Sequence, residues 1–476
     1  MLCALFSYSM LETMIAPALP AFQHAYGATP AQIGLVMAAM LLVGAIAIPL
    51  VGRLSDLYDK RHVLVCILAI ASVGIVIAAC AGSISQLAVG QAFQGVAMGV
   101  IPVAVGLMNE SFPPRIAAFA NGLIVGVMSL STAIGLVAAG PLIELLGLRA
   151  IYWLPLALIV PCILCLARPD GGRKVAPRAM SIDVGKVDWI GSGSLAILLL
   201  ALLAGLGGAA SAGWQSLATM GPLAAFTLLL PLWVVYERRQ RSPILDTRLL
   251  ALPGVAEICL IALSVGFGST ASYLLLPMLL QADPATGLGF GANTSTIGLI
   301  MLPLGVASLV TAPLVGIFDR WWGARTVVCL GVLLATLGAG LPALFHSQMW
   351  HLAVSAAILG AGVGISLTAA MNTVVRAVHP DRAASTFAAV MLIRTFGGML
   401  GSQVCMTVLT IGLRGGASGS ASSRFTDAFA LAAGGCALAL IAGWRFPRGS
   451  MARAGEVPGA TSVGEKAAVG RAPTSS

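Results

Sequence analysis

The residues of this chain that could do chemistry are the ionisable side chains inside long apolar runs. A charge in apolar surroundings is costly, so such a residue is a candidate for a functional role. Glu12 lies in the middle of the first apolar run, with Tyr8 and Ser9 one turn earlier. Removal from water disfavours the charged form of a carboxyl, so Glu12 could take up and release a proton. A cation that competes for the same carboxylate would couple two fluxes. The alternative is that Glu12 hydrogen-bonds a neighbouring helix and only holds structure.

Glu257 and Arg394 are the other ionisable candidates. Glu257 lies about one turn inside the start of the ninth run, where its side chain could reach the membrane interface or face a cavity. Arg394 lies deep in the thirteenth run and needs a partner. That partner could be an acid or the backbone carbonyls of a glycine-rich neighbour.

Several uncharged polar side chains also lie inside apolar runs. They could line a wet pocket, or each could make a hydrogen bond between helices. These residues are Gln91, Gln94, Asn121, Ser131, Thr132, Asn372 and Gln403.

Other chemistries have no support in the sequence. The five histidines are scattered, and there is no carboxylate cluster and no G-x-x-x-x-G-K-[ST] loop. Cys162 and Cys165 form a C-x-x-C whose neighbours offer no metal or redox partner, so we interpret both as packing residues. We therefore expect no metal, no cofactor and no enzymatic activity, and an ATP-driven pump is disfavoured.

The elements that must position these residues are helices in a lipid bilayer. Of the 476 residues, 58% are hydrophobic and only 9% are charged, which is too few charges for a soluble surface of this size. The net charge of +9 lies in short loops rather than in one patch, so no nucleic-acid partner is expected. About fourteen runs have the length of a membrane span, which predicts an all-α polytopic protein. Their approximate limits are 2–20, 33–51, 62–82, 87–108, 117–142, 150–167, 188–208, 217–236, 254–280, 294–317, 326–345, 351–372, 385–412 and 427–446.

The distribution of basic residues predicts the orientation. Alternate loops hold most of the lysines and arginines, and the remaining loops hold only Arg149, Arg414 and Arg424. The positive-inside rule then places both termini in the cytoplasm and supports an even number of spans in a cytoplasmic (inner) membrane. The first run has no basic segment before it and no cleavage site, so we interpret it as a retained span.

A charged turn, GRLSDLYDKR at residues 52–61, separates the second and third runs, and a similar stretch, GIFDRWWGAR at residues 316–325, separates the tenth and eleventh. At a cytoplasmic helix start, the Asp56 carboxylate could accept backbone N–H bonds. The repeat indicates two six-span halves with two spans inserted between them. The predicted units are a first bundle at 1–167, a basic loop with two linker spans at 168–253, a second bundle at 254–446 and a disordered tail at 447–476.

The turn at 52–61 resembles the signature loop of the major facilitator superfamily, with Gly52, Asp56, Lys60 and Arg61 at the positions of its motif. LETMIAPALP at 11–20 is similar to the first-span motif of the fourteen-span drug:proton antiporter branch, with Glu12 where that branch usually has Asp. GQAFQGVAMG at 90–99 keeps Gln94 and Gly95 of the fourth-span motif but has Gln91 at the position of an arginine that is thought to assist proton coupling.

The fifth-span antiporter motif is altered in this chain. Gly135 and Gly140 are retained and Pro141 is displaced, so close helix packing remains an expectation. Stretches near Val187, Gln281 and Arg394 resemble the same branch.

The resemblance implies the major facilitator fold and two helical bundles that rock around a central site. It implies proton-coupled export of amphipathic or cationic small molecules, with protons, substrate and lipid as the partners and a monomer as the functional unit. The residues expected to form a conformational latch between the halves are Gly52, Asp56, Lys60, Arg61, Asp319 and Arg320. An ordinary solvated turn is the alternative for this loop. For the whole chain, the alternatives are transport of one specific metabolite in either direction and, in another class, a polytopic receptor or enzyme.

Overall fold

The computed structural model describes residues 1–27, 30–167, 188–240, 250, 254–282, 284, 289–378, 383–414 and 421–445. The basic loop at 168–187, most of the segment at 241–253 and the predicted tail at 447–476 lie outside these residues.

The described residues form helices joined by short connections, with no strand among them. The helices are α1 (Leu2–Tyr26), α2 (Pro30–Leu57), α3 (Lys60–Ala79), α4 (Ile84–Gly95), α5 (Val100–Ser111), α6 (Pro114–Leu146), α7 (Ala150–Ala167), α8 (Trp189–Ala212), α9 (Leu217–Arg239), α10 (Val255–Gln281), α11 (Thr294–Trp322), α12 (Ala324–Leu344), α13 (Met349–Ala377), α14 (Ala383–Arg414) and α15 (Ala421–Arg445). The all-α class is therefore confirmed.

Thirteen of the described helical segments are long and apolar enough to span a membrane, and a shorter apolar stretch, Leu2–Ile15, lies in α1. They match the fourteen predicted runs one for one and make the chain a multi-pass membrane protein. The fourth span is interrupted: a 3₁₀ turn, Val96–Gly99, separates α4 from α5. This break was not predicted, since the sequence there is as apolar as the rest of the span.

Glycine in the left-handed region follows the ends of several of these helices, and two examples lie at tight turns. Gly213 has φ +86° between α8 and α9, and Gly323 has φ +80° between α11 and α12. Both lie in the left-handed region that glycine adopts without steric cost, so the chain can reverse at once into the next span.

The contacts gather the helices into two groups with a hairpin beside them. We refer to α1–α7 as the first group and to α10–α15 as the second group. The groups meet along two seams, one between α6 and α11 and one between α2 and α14. The end of the molecule that carries Lys60, Arg61, Arg320 and Arg376 is called the basic end.

Small residues close the α6–α11 seam. A Cβ at Gly126 would lie 2.6 Å from Leu309 Cα, and a Cβ at Gly305 would lie 2.7 Å from Leu130 Cα. Ser308 Oγ donates a hydrogen bond of 2.9 Å to Ser129 Oγ across the seam. Glycine and serine let two helix backbones approach closely, which is the usual solution for helices that associate in lipid.

The α8–α9 hairpin covers the second seam. Leu195, Leu198 and Leu199 of α8 pack in one cluster with Ala45 of α2 and with Ala389 and Leu392 of α14. At the hairpin tip, Trp214 Nε1 donates a 2.8 Å hydrogen bond to Thr407 Oγ1 of α14. The hairpin therefore contacts both groups.

Candidate functional site

Glu12 lies near the middle of α1. It is ten residues after the start of the helix at Leu2, which places it about 15 Å along the span. Its side chain is partly accessible although it is far from both helix ends. The fully buried Tyr8 approaches the Glu12 carboxyl without a hydrogen bond of ordinary geometry.

Arg394 lies at the same depth in the second group. It is eleven residues after the start of α14 at Ala383, about 17 Å along that span. Because α4 and α5 together form the fourth span, α14 is the thirteenth span and starts on the same side of the membrane as α1. Glu12 and Arg394 therefore lie at about the same depth. The Arg394 guanidinium interacts electrostatically with Glu12 and also with Tyr273 of α10.

Packing holds the Arg394 backbone in place. Gly266 of α10 contacts the Arg394 carbonyl oxygen, and a Cβ at Gly398 would lie 2.5 Å from Thr270 Oγ1. Arg394 Nε is buried and has no hydrogen-bond partner. The glycine-rich neighbour thus contacts the arginine's backbone, and the carboxyl on which the Arg394 charge acts belongs to Glu12 of the other group.

The positive charge of Arg394 thus acts on Glu12 from the other helix group. Other polar atoms of α1, α10 and α13 are buried without hydrogen-bond partners. They are Tyr8 Oη, Ser9 Oγ, Ser269 Oγ and Thr368 Oγ1. Buried polar groups are normally hydrogen-bonded, so unpartnered ones in a transporter-like interior are available to a bound molecule or to water. Among the described residues, no group of three histidine, cysteine or carboxylate side chains could hold a metal ion.

Gln91 and Gln94 lie inside the first group. Both are buried, at 0% and 1% exposure, so neither lines an open pocket. Gln91 Nε2 donates to Tyr152 Oη at 3.1 Å, and Gln94 Nε2 donates to the Gly74 carbonyl at 3.2 Å. The structure therefore favours the interhelical reading of these two glutamines.

Asn121 joins the two groups instead of facing an open pocket. Its Nδ2 donates to Asn372 Oδ1 of α13 at 3.2 Å, and its Oδ1 accepts a longer bond of 3.5 Å from Asn109 Nδ2 of α5. Asn121 and Asn372 are 1% and 4% exposed. Ser131 and Thr132 bond to carbonyls of their own helix, at Val127 and Met128.

Glu257 lies at the start of its helix. Its Oε2 accepts a hydrogen bond of 2.5 Å from the Gly254 backbone N–H. A carboxylate in the first helical turn also interacts favourably with the helix dipole. Glu257 is therefore engaged in capping α10, and the alternative of a cavity-facing carboxylate has no support here.

The turn at 52–61 contacts the second group through Asp56. Asp56 lies in the last turn of α2, and its Oδ2 accepts a 3.1 Å hydrogen bond from the Ser385 backbone N–H at the start of α14. Asp59, not Asp56, caps the helix of its own turn, α3, by accepting from the N–H groups of Arg61 and His62. The expected helix-start role of Asp56 thus applies to a helix of the other group.

Of the other residues of this turn, Gly52 contacts the second group, and Lys60 and Arg61 contact the first. A Cβ at Gly52 would lie 2.6 Å from Ala388 Cβ, so glycine is what allows α2 to approach α14. Lys60 Nζ forms an ion pair of 2.5 Å with Glu110 at the end of α5. Arg61 Nε donates to the Leu166 carbonyl at 2.6 Å.

The second copy of the turn is arranged differently. Asp319 pairs with Arg376 of α13 at 3.0 Å, within the second group, and the Asp319 side chain is 6% exposed. Arg320 is exposed. Gly316 of this copy lies against α6 of the first group, where a Cβ would be 3.5 Å from Ala118 Cβ. The Asp319 carboxylate, in contrast, pairs inside its own group, so this copy differs from the Asp56 turn despite the sequence similarity.

Gly135 contacts α1, because a Cβ there would lie 2.8 Å from the Met10 carbonyl oxygen. Gly140 is partly buried, and Pro141 is exposed on α6. Gly135 therefore packs closely on α1, whereas the Pro141 side chain faces outward. Sequence reasoning did not select Ser385 or Tyr273, because each lies far along the chain from its partner. It also missed Asn109, whose partner Asn121 is 12 residues away on the next helix.

Several known proteins are similar to this chain in sequence or in fold. A model of the Major Facilitator Superfamily matches residues 1–188, 175–402 and 258–466. The chain is 28% identical over 432 residues to the cephamycin export protein CmcT of Amycolatopsis lactamdurans, a match that covers 88% of this chain and 85% of that protein. It is 26% identical over 399 residues to the multidrug resistance protein Stp of Mycobacterium tuberculosis, covering 82% of this chain and 71% of that protein.

Two further similarities add to the comparison. An uncharacterized MFS-type transporter of M. tuberculosis is 27% identical over 369 residues, 75% of this chain, but the chain spans only about half (51%) of that relative's length. The structure of the human organic anion transporter MFSD10 (TETRAN) superposes with a TM-score of 0.62 at 15% identity, covering 92% of this chain and 97% of that one. At that identity the superposition shows the fold alone. Together with the family match along the whole chain, it confirms the predicted family and fold: the chain belongs to the major facilitator superfamily.

Proposed function

We propose that this protein is a secondary active transporter that exports amphipathic or cationic small molecules in exchange for protons. The observation that carries the proposal is the Glu12–Arg394 pair, an acid and a base from different helix groups at one depth of the membrane. The names of two relatives, an antibiotic export protein and a multidrug resistance protein, support export of this kind of compound.

Glu12 carries the proton in this mechanism. A carboxyl that opens alternately to either side can bind a proton from one solution and release it to the other. Arg394 interacts with the deprotonated form, and this interaction ends when Glu12 is protonated. The fourth-span position where the related branch has arginine is Gln91, which is occupied by its bond to Tyr152. Arg394 therefore supplies the guanidinium of the coupling site from the other group.

Alternating access requires the contacts between the groups at the basic end to open. Asp56 bonds to Ser385 on one seam, and Asn121 bonds to Asn372 beside the other. We propose that both contacts hold the basic end closed, with Gly52, Lys60 and Arg61 shaping the turn that presents Asp56. Asp319 and Arg320 are not assigned to this inter-group contact.

The test uses inverted membrane vesicles with an acidic lumen and a fluorescent amphipathic dye. The parent protein is expected to accumulate dye until an uncoupler is added. Glu12→Gln is expected to insert into the membrane normally. Its rate of proton-coupled dye uptake should fall by at least about tenfold, since the neutral amide cannot exchange a proton. Glu144→Gln is the matched control, because Glu144 is exposed on α6. Gradient-driven uptake by Glu12→Gln at the parent rate would remove Glu12 from the mechanism.

Transport of one specific metabolite is the second candidate. It is favoured by the two departures from the antiporter pattern, the buried Gln91 and the outward-facing Pro141. Uptake of a single compound, with no competition among unrelated amphiphiles, would favour this candidate.

The orientation is part of the proposal. We place the basic end and both termini in the cytoplasm, in an inner membrane, with a monomer as the working unit. In a cysteine-free background, labelling of His62→Cys, at an exposed residue of the turn, by an impermeant thiol reagent from the external side of intact cells would contradict this orientation.

A further inference from the structure

The charge of the central site restricts what can bind there. Among the described helices, Glu12 and Arg394 are the only Asp, Glu, Lys or Arg residues that lie more than two turns from both ends of their helix. The site is therefore neutral when both side chains are ionised, and it carries one positive charge when Glu12 is protonated. Arginine keeps its charge at any pH at which proteins work.

Export by proton exchange requires that the substrate and the proton bind in competition. A ligand that binds Glu12 more tightly in its deprotonated form is displaced by a proton, and by linkage it displaces the proton in turn. An anion at Arg394 does the opposite. It repels the Glu12 carboxylate and favours protonation, so anion and proton would bind together and could not exchange.

A simple cation meets the first requirement but has an unfavourable neighbour. It would compete with the proton at Glu12, yet the fixed charge of Arg394 interacts with the same carboxylate and repels the incoming cation. Like charges close together in a partly dehydrated site repel each other more strongly than they do in water. A molecule with both charges avoids this penalty, because its anionic or accepting group lies at Arg394 while its cationic or donating group lies at Glu12.

Polar groups beside Glu12 and Arg394 could donate hydrogen bonds to the accepting group of such a molecule. Arg394 Nε is buried without a hydrogen-bond partner, and the buried hydroxyl of Tyr8, which approaches Glu12, makes no hydrogen bond of ordinary geometry. The charge of the guanidinium also acts on Tyr273 of α10. An accepting group placed between these donors would satisfy atoms that are otherwise left without hydrogen bonds.

We infer that the preferred substrates are zwitterionic or bipolar amphiphiles of zero net charge, with the cationic or donating group at Glu12 and the anionic or accepting group at Arg394. This inference rests on the proposed proton-coupled export and narrows its substrate class. It separates this protein from an exporter of lipophilic monocations.

Three dyes with one chromophore test the inference. Rhodamine B is a zwitterion near neutral pH, its ethyl ester is a monocation and sulforhodamine B is a net anion. In acid-lumen inverted vesicles, the parent is expected to take up rhodamine B at least about tenfold faster than either analogue. Arg394→Gln is expected to reverse the preference toward the ethyl ester, and Arg394→Lys to keep it. Arg149→Gln, at an exposed arginine, is the control and should match the parent.

The outcomes separate the inference from the function beneath it. Faster uptake of the ethyl ester by the parent, or an unchanged preference in Arg394→Gln, would overturn the inference and leave proton-coupled export standing. Proton-dependent movement of sulforhodamine B in the same direction as the protons would overturn both. If no dye moves in response to the gradient, the proposed function fails, and the inference fails with it.

Discussion

The side chains that could do chemistry were visible in the sequence, but their partners were not. Glu12 stands out as a carboxyl in an apolar run and Arg394 as a base that needs a partner. Their relation depends on two helices from different groups that place them at one depth, and no local pattern reports that. The same reason explains Asp56, whose hydrogen-bond partner Ser385 lies 329 residues away.

Gln91 gives a prediction that separates structure from coupling. Gln91→Leu leaves the Tyr152 hydroxyl and the Gln94 amide with fewer partners in a buried position, which costs about 1–3 kcal/mol. We expect a lower melting temperature in detergent and an unchanged ratio of protons to substrate. The control is Gln86→Leu, at an exposed residue of the same helix. A changed proton ratio in a variant of normal stability would show that Gln91 takes part in coupling.

Asp56 gives a prediction about conformation. Asp56→Ala removes the acceptor at the start of α14, a type of contact worth about 1 kcal/mol, or about fivefold in a two-state equilibrium. In a cysteine-free background, Ser129→Cys should then react about fivefold faster with an impermeant maleimide added at the basic end. Asp59→Ala, which removes the cap of α3 in the same turn, should leave that rate unchanged. Equal labelling in the parent and Asp56→Ala would exclude Asp56 as a latch.

At the scale of elements, the sequence predicted where spans begin and end to within a few residues. The largest differences are six residues each. They lie at the end of α1 (predicted 20, observed Tyr26), at the start of α15 (predicted 427, observed Ala421) and at the end of α2, which was predicted to end at 51 and extends to Leu57. The helix continues past the apolar core because Arg53 and Asp56 are tolerated in its last turns, where the chain leaves the membrane. The 3₁₀ break at Val96–Gly99 and the glycine-lined α6–α11 seam depend on how closely neighbouring helices approach. A single sequence does not report that distance.

A pair of cysteines at the asparagine contact tests whether the basic end must open. Asn121→Cys with Asn372→Cys replaces amides that are 3.2 Å apart in different groups. We expect a short bifunctional thiol reagent with a reducible linker to stop transport and a reductant to restore it. The control pair, Asn109→Cys with Asn121→Cys, replaces amides 3.5 Å apart within the first group and should remain active after cross-linking. Full activity of the cross-linked Asn121–Asn372 pair would mean that this contact need not separate.

At the scale of the whole molecule, hydropathy and the repeat of one charged turn were sufficient for the fold and the family. The turns themselves diverged, however. Asp56 reaches across to the second group, whereas Asp319 pairs with Arg376 inside its own group. Similar sequence therefore predicted a similar position but a different contact. The α8–α9 hairpin, which lies on α2 and α14, adds a surface along which the groups must slide if they rock.

The most direct test of the account is whether a substrate gradient moves protons uphill through Glu12. Purified protein would be reconstituted into liposomes that contain a pH-sensitive dye, with equal pH on both sides and rhodamine B added on one side. The account predicts an uncoupler-sensitive pH change in the parent and in Glu144→Gln, and none in Glu12→Gln. Substrate-driven proton movement that persists in Glu12→Gln would contradict it.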